Sequence, residues 1–154
     1  MKQSKKLYLA YGSNLNLAQM ADRCPTATVL GSSVMTGWRL LFRGAHAGAV
    51  ATVEPFEGGS VPVLVWEITP ADEAALDRYE GWPFLYRKEV VSVELDGKSV
   101  EAMVYILNDG RLFGQPSCYY YSTILEGYKS AGFDIEILRR ATIESVETGG
   151  NACD

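Results

Sequence analysis

The chain reads as an α+β protein built on a mixed, mostly antiparallel, barrel-like β-sheet flanked by a few short helices. Three observations lead there. Strand candidates outnumber helix candidates. Their order is mixed rather than a βαβα alternation, which argues against a doubly wound parallel sheet. One hairpin is unambiguous: Val91, Val93 and Leu95 alternate with polar residues, Asp96-Gly97 supplies a two-residue turn, and Val100, Ala102, Val104 and Ile106 alternate on the return.

The other elements follow in order. Leu7-Tyr8-Leu9-Ala10 is a short apolar strand. The polar turn Tyr11-Gly12-Ser13-Asn14-Leu15 comes next and leads into a helix over Leu15–Arg23, ended by Pro25. Gly12 frees the backbone, and Ser13 and Asn14 are residues that cap helices and turn chains. Such a turn aims several N–H groups at one point, which suits a carboxylate. An ordinary strand–turn–helix junction fits those five residues equally well.

Thr28–Val34 and Trp38–Phe42 are strand candidates, with Gly31 and Gly37 marking bends or bulges. Gly48–Val53 and Val61–Ile68 read as a strand pair around the turn Pro55-Phe56-Glu57-Gly58-Gly59. Thr69 caps a helix with Pro70 at its first position, and that helix stops at Gly81 with Pro83 just beyond. Ser117 caps a helix carrying Tyr121, Ile124, Leu125 and Tyr128 on one face and closed by Gly132. Asp134 caps a last helix to about Val146. Residues 1–148 read as one domain and residues 149–154 as a flexible tail.

Composition narrows the function. The 154 residues suit a single core, and 47% hydrophobic with 21% charged residues is ordinary for a soluble globular chain. A net charge of −5 argues against nucleic acid or an anionic membrane as partner. The apolar run after Lys2, Lys5 and Lys6 is too short for a signal peptide or a membrane span, so the expected location is cytoplasmic. Cys24, Cys118 and Cys153 form no C-x-x-C pair, and His46 is the one histidine. Neither a disulfide framework nor a metal or other cofactor is expected, and Cys118 reads as a buried structural thiol. Nothing in the residues sets an oligomeric state; a homodimer stays open.

Glu80 is the acid that stands out. It ends its helix, where the dipole penalises a negative charge, and Tyr79, Trp82 and Phe84 are expected to add an apolar surround. A carboxyl pushed toward neutrality suits acid–base work. A solvated glutamate beside Arg78 and Arg87 would carry the same sequence. Of the consecutive Tyr119, Tyr120 and Tyr121, Tyr121 falls on the apolar stripe, while Tyr120 can turn its hydroxyl into a cleft, because neighbours on a helix point about 100° apart.

Taken together, these segments resemble the gamma-glutamylcyclotransferase family. Leu7 to Leu15 is similar to its Y-G-S-N-L loop. Gly48–Val53 and Val63–Ile68 resemble its central strands. Leu76 to Gly81 resembles its L-D-x-x-E-G segment, and Tyr86-Arg87 and Pro116 to Tyr120 its later Y-R and P-S-x-x-Y patterns. The resemblance runs from about Tyr8 to Gly132. It implies a small-molecule γ-glutamyl substrate whose α-amine attacks its own γ-carbonyl, closing 5-oxoproline and releasing an amine. It implies Glu80 as catalytic acid–base, with Tyr8, Leu9, Ala10, Tyr11, Gly12, Ser13, Tyr86 and Tyr120 holding the substrate. The bulky Trp82-Pro83-Phe84 is expected on the leaving-amine side. The alternative is a non-catalytic module on the same fold that binds a carboxylate ligand.

Overall fold

The computed structural model describes residues 4–45 and 47–146. The loop residue His46, Cys153 and the expected tail at 149–154 lie outside the described residues. Five strands form one sheet in the order β2-β3-β1-β5-β4. Strand β1 (Lys6–Ala10) is central: it pairs antiparallel with β3 (Val50–Ile68) and parallel with β5 (Lys98–Leu107). Its Tyr8, Leu9 and Ala10 are all buried, as an unbroken apolar run requires when both faces of a strand are covered. β2 (Thr28–Arg43) lies on one edge and β4 (Tyr86–Leu95) on the other. The two edges curl toward each other, and the Ser33 hydroxyl donates to the Glu94 carbonyl. That contact makes the sheet barrel-like.

Two expected strand pairs are single long strands. β2 runs unbroken through both of its predicted segments, with register shifts between Val29 and Gly31 and between Thr36 and Trp38, where glycines had marked bulges. β3 runs unbroken from Val50 to Ile68, so Pro55 to Gly59 is not a hairpin turn. Both of its flanks pair with β2, Pro55 with Trp38 and Ser60 with Thr36, and the residues between bulge outward. Gly58 takes φ 84° there, and a Cβ on Gly59 would stand 2.4 Å from the Trp38 carbonyl oxygen. A bulge and a turn ask for the same residues; the partner of the flanks decides between them.

The β4–β5 hairpin forms as expected, with positive φ at both Asp96 (52°) and Gly97 (77°). The first helix is shorter than expected. Ser13–Leu15 is a single 3-10 turn, and α1 (Leu17–Arg23) starts only after Asn16, whose side chain caps it through the Gln19 N–H at 3.2 Å. Helix α2 (Pro70–Glu80) has a full capping box between Thr69 and Asp72 and ends on left-handed Gly81, φ 69°. Ser117 caps α3 (Cys118–Ala131) and Asp134 caps α4 (Ile135–Glu144).

Sheet and helices share a single hydrophobic core. α3 reaches the 3-10 turn so closely that a Cβ on Gly127 would stand 2.6 Å from the Leu15 Cβ. Asn16 Nδ2 ties the same two elements by donating to the Thr123 carbonyl at 3.1 Å and to Glu126 at 2.9 Å. Cys118 is exposed, not buried, because it is the first residue of α3 and its neighbour Tyr119 is exposed as well. No helix among the described residues is long and apolar enough to cross a membrane.

Candidate active site

The site begins at an uncovered strand edge. Around Ala51, β3 pairs with β2 on one side, while β1 pairs only with the far end of β3, at Leu64 to Ile68. Tyrosine hydroxyls take the place of the missing strand. Tyr86 donates to the Ala51 carbonyl at 2.7 Å, and the Tyr120 hydroxyl accepts from the Ala51 N–H at 3.1 Å. Tyr11 donates to the Tyr105 carbonyl at 2.6 Å and so braces β5 against the same edge. These bonds satisfy buried backbone groups that would otherwise be orphaned.

The resulting narrow recess is lined by Tyr8, Tyr11, Gly12, Ser13, Asn14, Ala51, Glu80, Tyr86, Tyr105 and Tyr120. Its parts come from β1, the turn after it, the start of β3, the last residue of α2, the starts of β4 and α3, and the end of β5. Every sequence-predicted site residue except two therefore meets here. Leu9 and Ala10 do not line the recess; they are packed in the core beneath it. Ser13 is partly occupied, sharing a 2.9 Å hydrogen bond with the Tyr79 hydroxyl.

The turn does present backbone donors. Among the described residues, the N–H groups of Tyr11, Gly12 and Ser13 reach no acceptor of the chain, whereas those of Leu15 and Asn16 close the 3-10 turn onto Gly12 and Ser13. Gly12 supplies room: a Cβ there would lie 3.3 Å from the Ala51 Cβ and 3.8 Å from the Tyr120 hydroxyl, inside the recess.

Glu80 is the acidic residue of the recess. Burial pushes its carboxyl up to about 7, and the charge of Arg23 pulls it back only in part. The surround is not the expected one. Tyr79, Trp82 and Phe84 are exposed, Phe84 to 89%, so they do not enclose Glu80. The enclosing groups are the tyrosines of the recess. Nor do Arg78 and Arg87 neutralise it: Arg87 is paired with Glu89, and Arg78 is exposed. Burial, and after it the Glu80 charge, raises Tyr8 and Tyr11 far above their ordinary range. Burial likewise raises Tyr86 and Tyr120. All four phenols are protonated at neutral pH and act as hydrogen-bond donors.

One turn before Glu80, Asp77 fixes the helix end. It accepts the Tyr105 hydroxyl at 2.6 Å and the Lys88 ammonium at 3.0 Å, and its carbonyl accepts the Trp82 N–H at 3.0 Å. Sequence reasoning missed Tyr105. The one available signal is an aromatic with a polar tip on the opposite face of β5 from Val104 and Ile106. It also missed Arg23, which sits in another element and reaches the site through Asn14.

Comparison with known proteins agrees with this fold. The family model for "Gamma-glutamyl cyclotransferase, AIG2-like" matches residues 8–123. A bovine (Bos taurus) gamma-glutamylcyclotransferase is 27% identical over 150 residues, covering 92% of this chain and 78% of the relative. The crystal structure of the human (Homo sapiens) protein loc79017 superposes with a TM-score of 0.79 at 26% identity, covering 96% of this chain and 93% of that one. A structure named gamma-glutamyl cyclotransferase shares the fold, with a TM-score of 0.77 at 24% identity and coverage of 96% and 94%. The matched span holds the turn, Glu80 and every tyrosine of the recess, and the chain belongs to the gamma-glutamyl cyclotransferase, AIG2-like family.

Proposed function

We propose that this protein is a cyclotransferase that converts a γ-glutamyl amine or γ-glutamyl amino acid into 5-oxoproline and the free amine. The observation that carries the reading is Glu80: a carboxyl brought near neutrality by burial, facing a recess lined otherwise by uncharged groups. A group balanced between its two forms can both take and return a proton at physiological pH.

In this reading the substrate's α-ammonium gives a proton to Glu80, and the freed amine attacks the γ-carbonyl carbon. A new C–N bond closes the five-membered lactam. The C–N bond to the leaving amine breaks, and the protons lost by the α-nitrogen pass to the departing nitrogen, Glu80 carrying them. No nucleophile from the protein is needed, because the substrate brings its own. The N–H groups of Tyr11, Gly12 and Ser13 bind the substrate carboxylate or the oxyanion, in the manner of donors placed before charge develops. Tyr120 donates to the glutamyl head group, since its oxygen is already occupied by the Ala51 N–H. Holding a flexible chain in the folded, near-attack shape supplies much of the acceleration.

The test is 5-oxoproline release from a panel of γ-glutamyl amino acids, γ-glutamyl amines, γ-glutamyl-ε-lysine and glutathione. Release from at least one supports the reading, and the preferred leaving amine names the substrate. No release by folded protein favours a module that binds a carboxylate without turnover.

A further inference from the structure

Tyr8 is buried beside Glu80, and the direction of its hydroxyl hydrogen is set two residues away. Arg23 Nη1 donates to Asn14 Oδ1. Its Nη2 donates to Gln19 Oε1 at 3.1 Å, and its guanidinium lies 3.4 Å from the centre of the Tyr79 ring. Arginine has donors only. The oxygen of the Asn14 amide must therefore face Arg23, and its NH2 must face the other way. There it donates to the Tyr8 hydroxyl oxygen at 2.8 Å. Asn14 is buried at 3% exposure, so no water competes to turn it. The Tyr8 oxygen is thus an acceptor toward Asn14, and its hydrogen reaches no acceptor among the described residues.

We infer that Arg23 and Asn14 are positioning residues that lock the polarity of the Tyr8 hydroxyl, keeping it a donor aimed into the recess at the reacting oxygen of the substrate. The inference rests on the cyclotransferase reading for its kinetic consequence and not for the polarity itself. Were the amide free to turn, Tyr8 would donate to Asn14 Oδ1 and be lost to the substrate. Arg23 acts at one remove here, in addition to its charge, which favours the ionised form of Glu80.

Asn14→Asp tests this with almost no change of shape. A carboxylate accepts only, so it keeps the Arg23 contact as an ion pair but draws the Tyr8 hydrogen onto itself. The substrate is L-γ-glutamyl-L-alanine, or the member of the panel that turns over fastest. Losing one oxyanion-type donor by Tyr8→Phe is expected to lower kcat/KM about a hundredfold. Asn14→Asp is expected to lower it by a similar factor, and Arg23→Met partway. The double variant Asn14→Asp with Tyr8→Phe should fall no more than about threefold below either single one, since both remove the same donor.

The new carboxylate will also raise the Glu80 carboxyl. That effect shifts the acidic limb of the pH profile, so all four proteins of the double-variant cycle are compared on the alkaline plateau of their own profiles, where Glu80 is ionised in each and only the loss of polarity remains. A second measurement needs no turnover. The phenol C–O stretch moves in opposite directions on accepting and on donating. Infrared difference spectra of ring-labelled protein against Tyr8→Phe should show Tyr8 accepting in the wild type and donating in Asn14→Asp. Activity of Asn14→Asp within about threefold of wild type, a multiplicative double variant, or an unmoved stretch would overturn the inference. A wild type that turns over nothing while the stretch moves would leave the polarity lock standing and remove the cyclotransferase reading.

Discussion

Glu80 carries opposite costs for stability and for chemistry. Its carboxyl is raised from 4.5 to about 7 in the folded chain by burial. The folded state therefore binds more protons than the unfolded state between those values, and stability falls as pH rises through that window. Glu80→Gln removes the buried charge. It should stabilise the fold by about 1–3 kcal/mol at pH 8 and leave it nearly unchanged at pH 4, by denaturant unfolding at both. Turnover runs the other way, because the base must be ionised: kcat/KM is expected to fall on the acid side of about pH 7. Tyr120→Phe removes a donor and also leaves the Ala51 N–H without its acceptor. We expect a loss of about 1–2 kcal/mol in stability and a fall in kcat/KM with the fold retained by circular dichroism. Glu80 was legible as a helix-end acid, and Tyr8, Tyr11, Tyr86 and Tyr120 as site residues through the family resemblance. That these tyrosines line one recess with Glu80 was not legible, because they come from distant elements, and Tyr105 was missed.

Helix α2 and helix α3 place the site from opposite sides. α2 is held by Asp77, which joins Tyr105 of β5 to Lys88 of β4, and Glu80 follows on the next turn. Asp77→Ala frees two buried or half-buried partners and should cost about 1–3 kcal/mol. It should also lower kcat more than it raises KM, since the base rather than the turn is loosened. α3 touches the 3-10 turn at Gly127, where an added methyl meets the backbone of Leu15. Gly127→Ala is expected to cost about 1–3 kcal/mol as overpacking, read as a lower thermal midpoint, and to weaken substrate binding by displacing the turn. Elements whose signals are local were legible: Asp96-Gly97 needs positive φ at both residues, and Thr69, Pro70 and Gly81 mark both ends of α2. The long β3 was not, because Pro55 to Gly59 has the composition of a turn and only its distant pairing with β2 makes it a bulge. Gly127 has no local signal at all; its reason is Leu15, a whole domain away in sequence.

The whole molecule is a sheet curled until one strand edge is left open, with five tyrosines from different elements closing it around one acid. That arrangement explains why no single motif is decisive and why their combination is. In the proposed cyclotransferase reading it also divides specificity: the recess takes the glutamyl head, and the exposed Tyr79, Trp82 and Phe84, next to Glu80 in sequence, are the residues proposed to meet the leaving amine. Whether Glu80 carries the proton is decided by 5-oxoproline release from Glu80→Gln beside wild type, on the preferred substrate from pH 5 to 9. We expect wild-type turnover with an acidic limb near 7 and loss of at least about a thousandfold in the variant at every pH. A folded variant that keeps activity within a few-fold of wild type would contradict that expectation, and the proton would then be carried by another group.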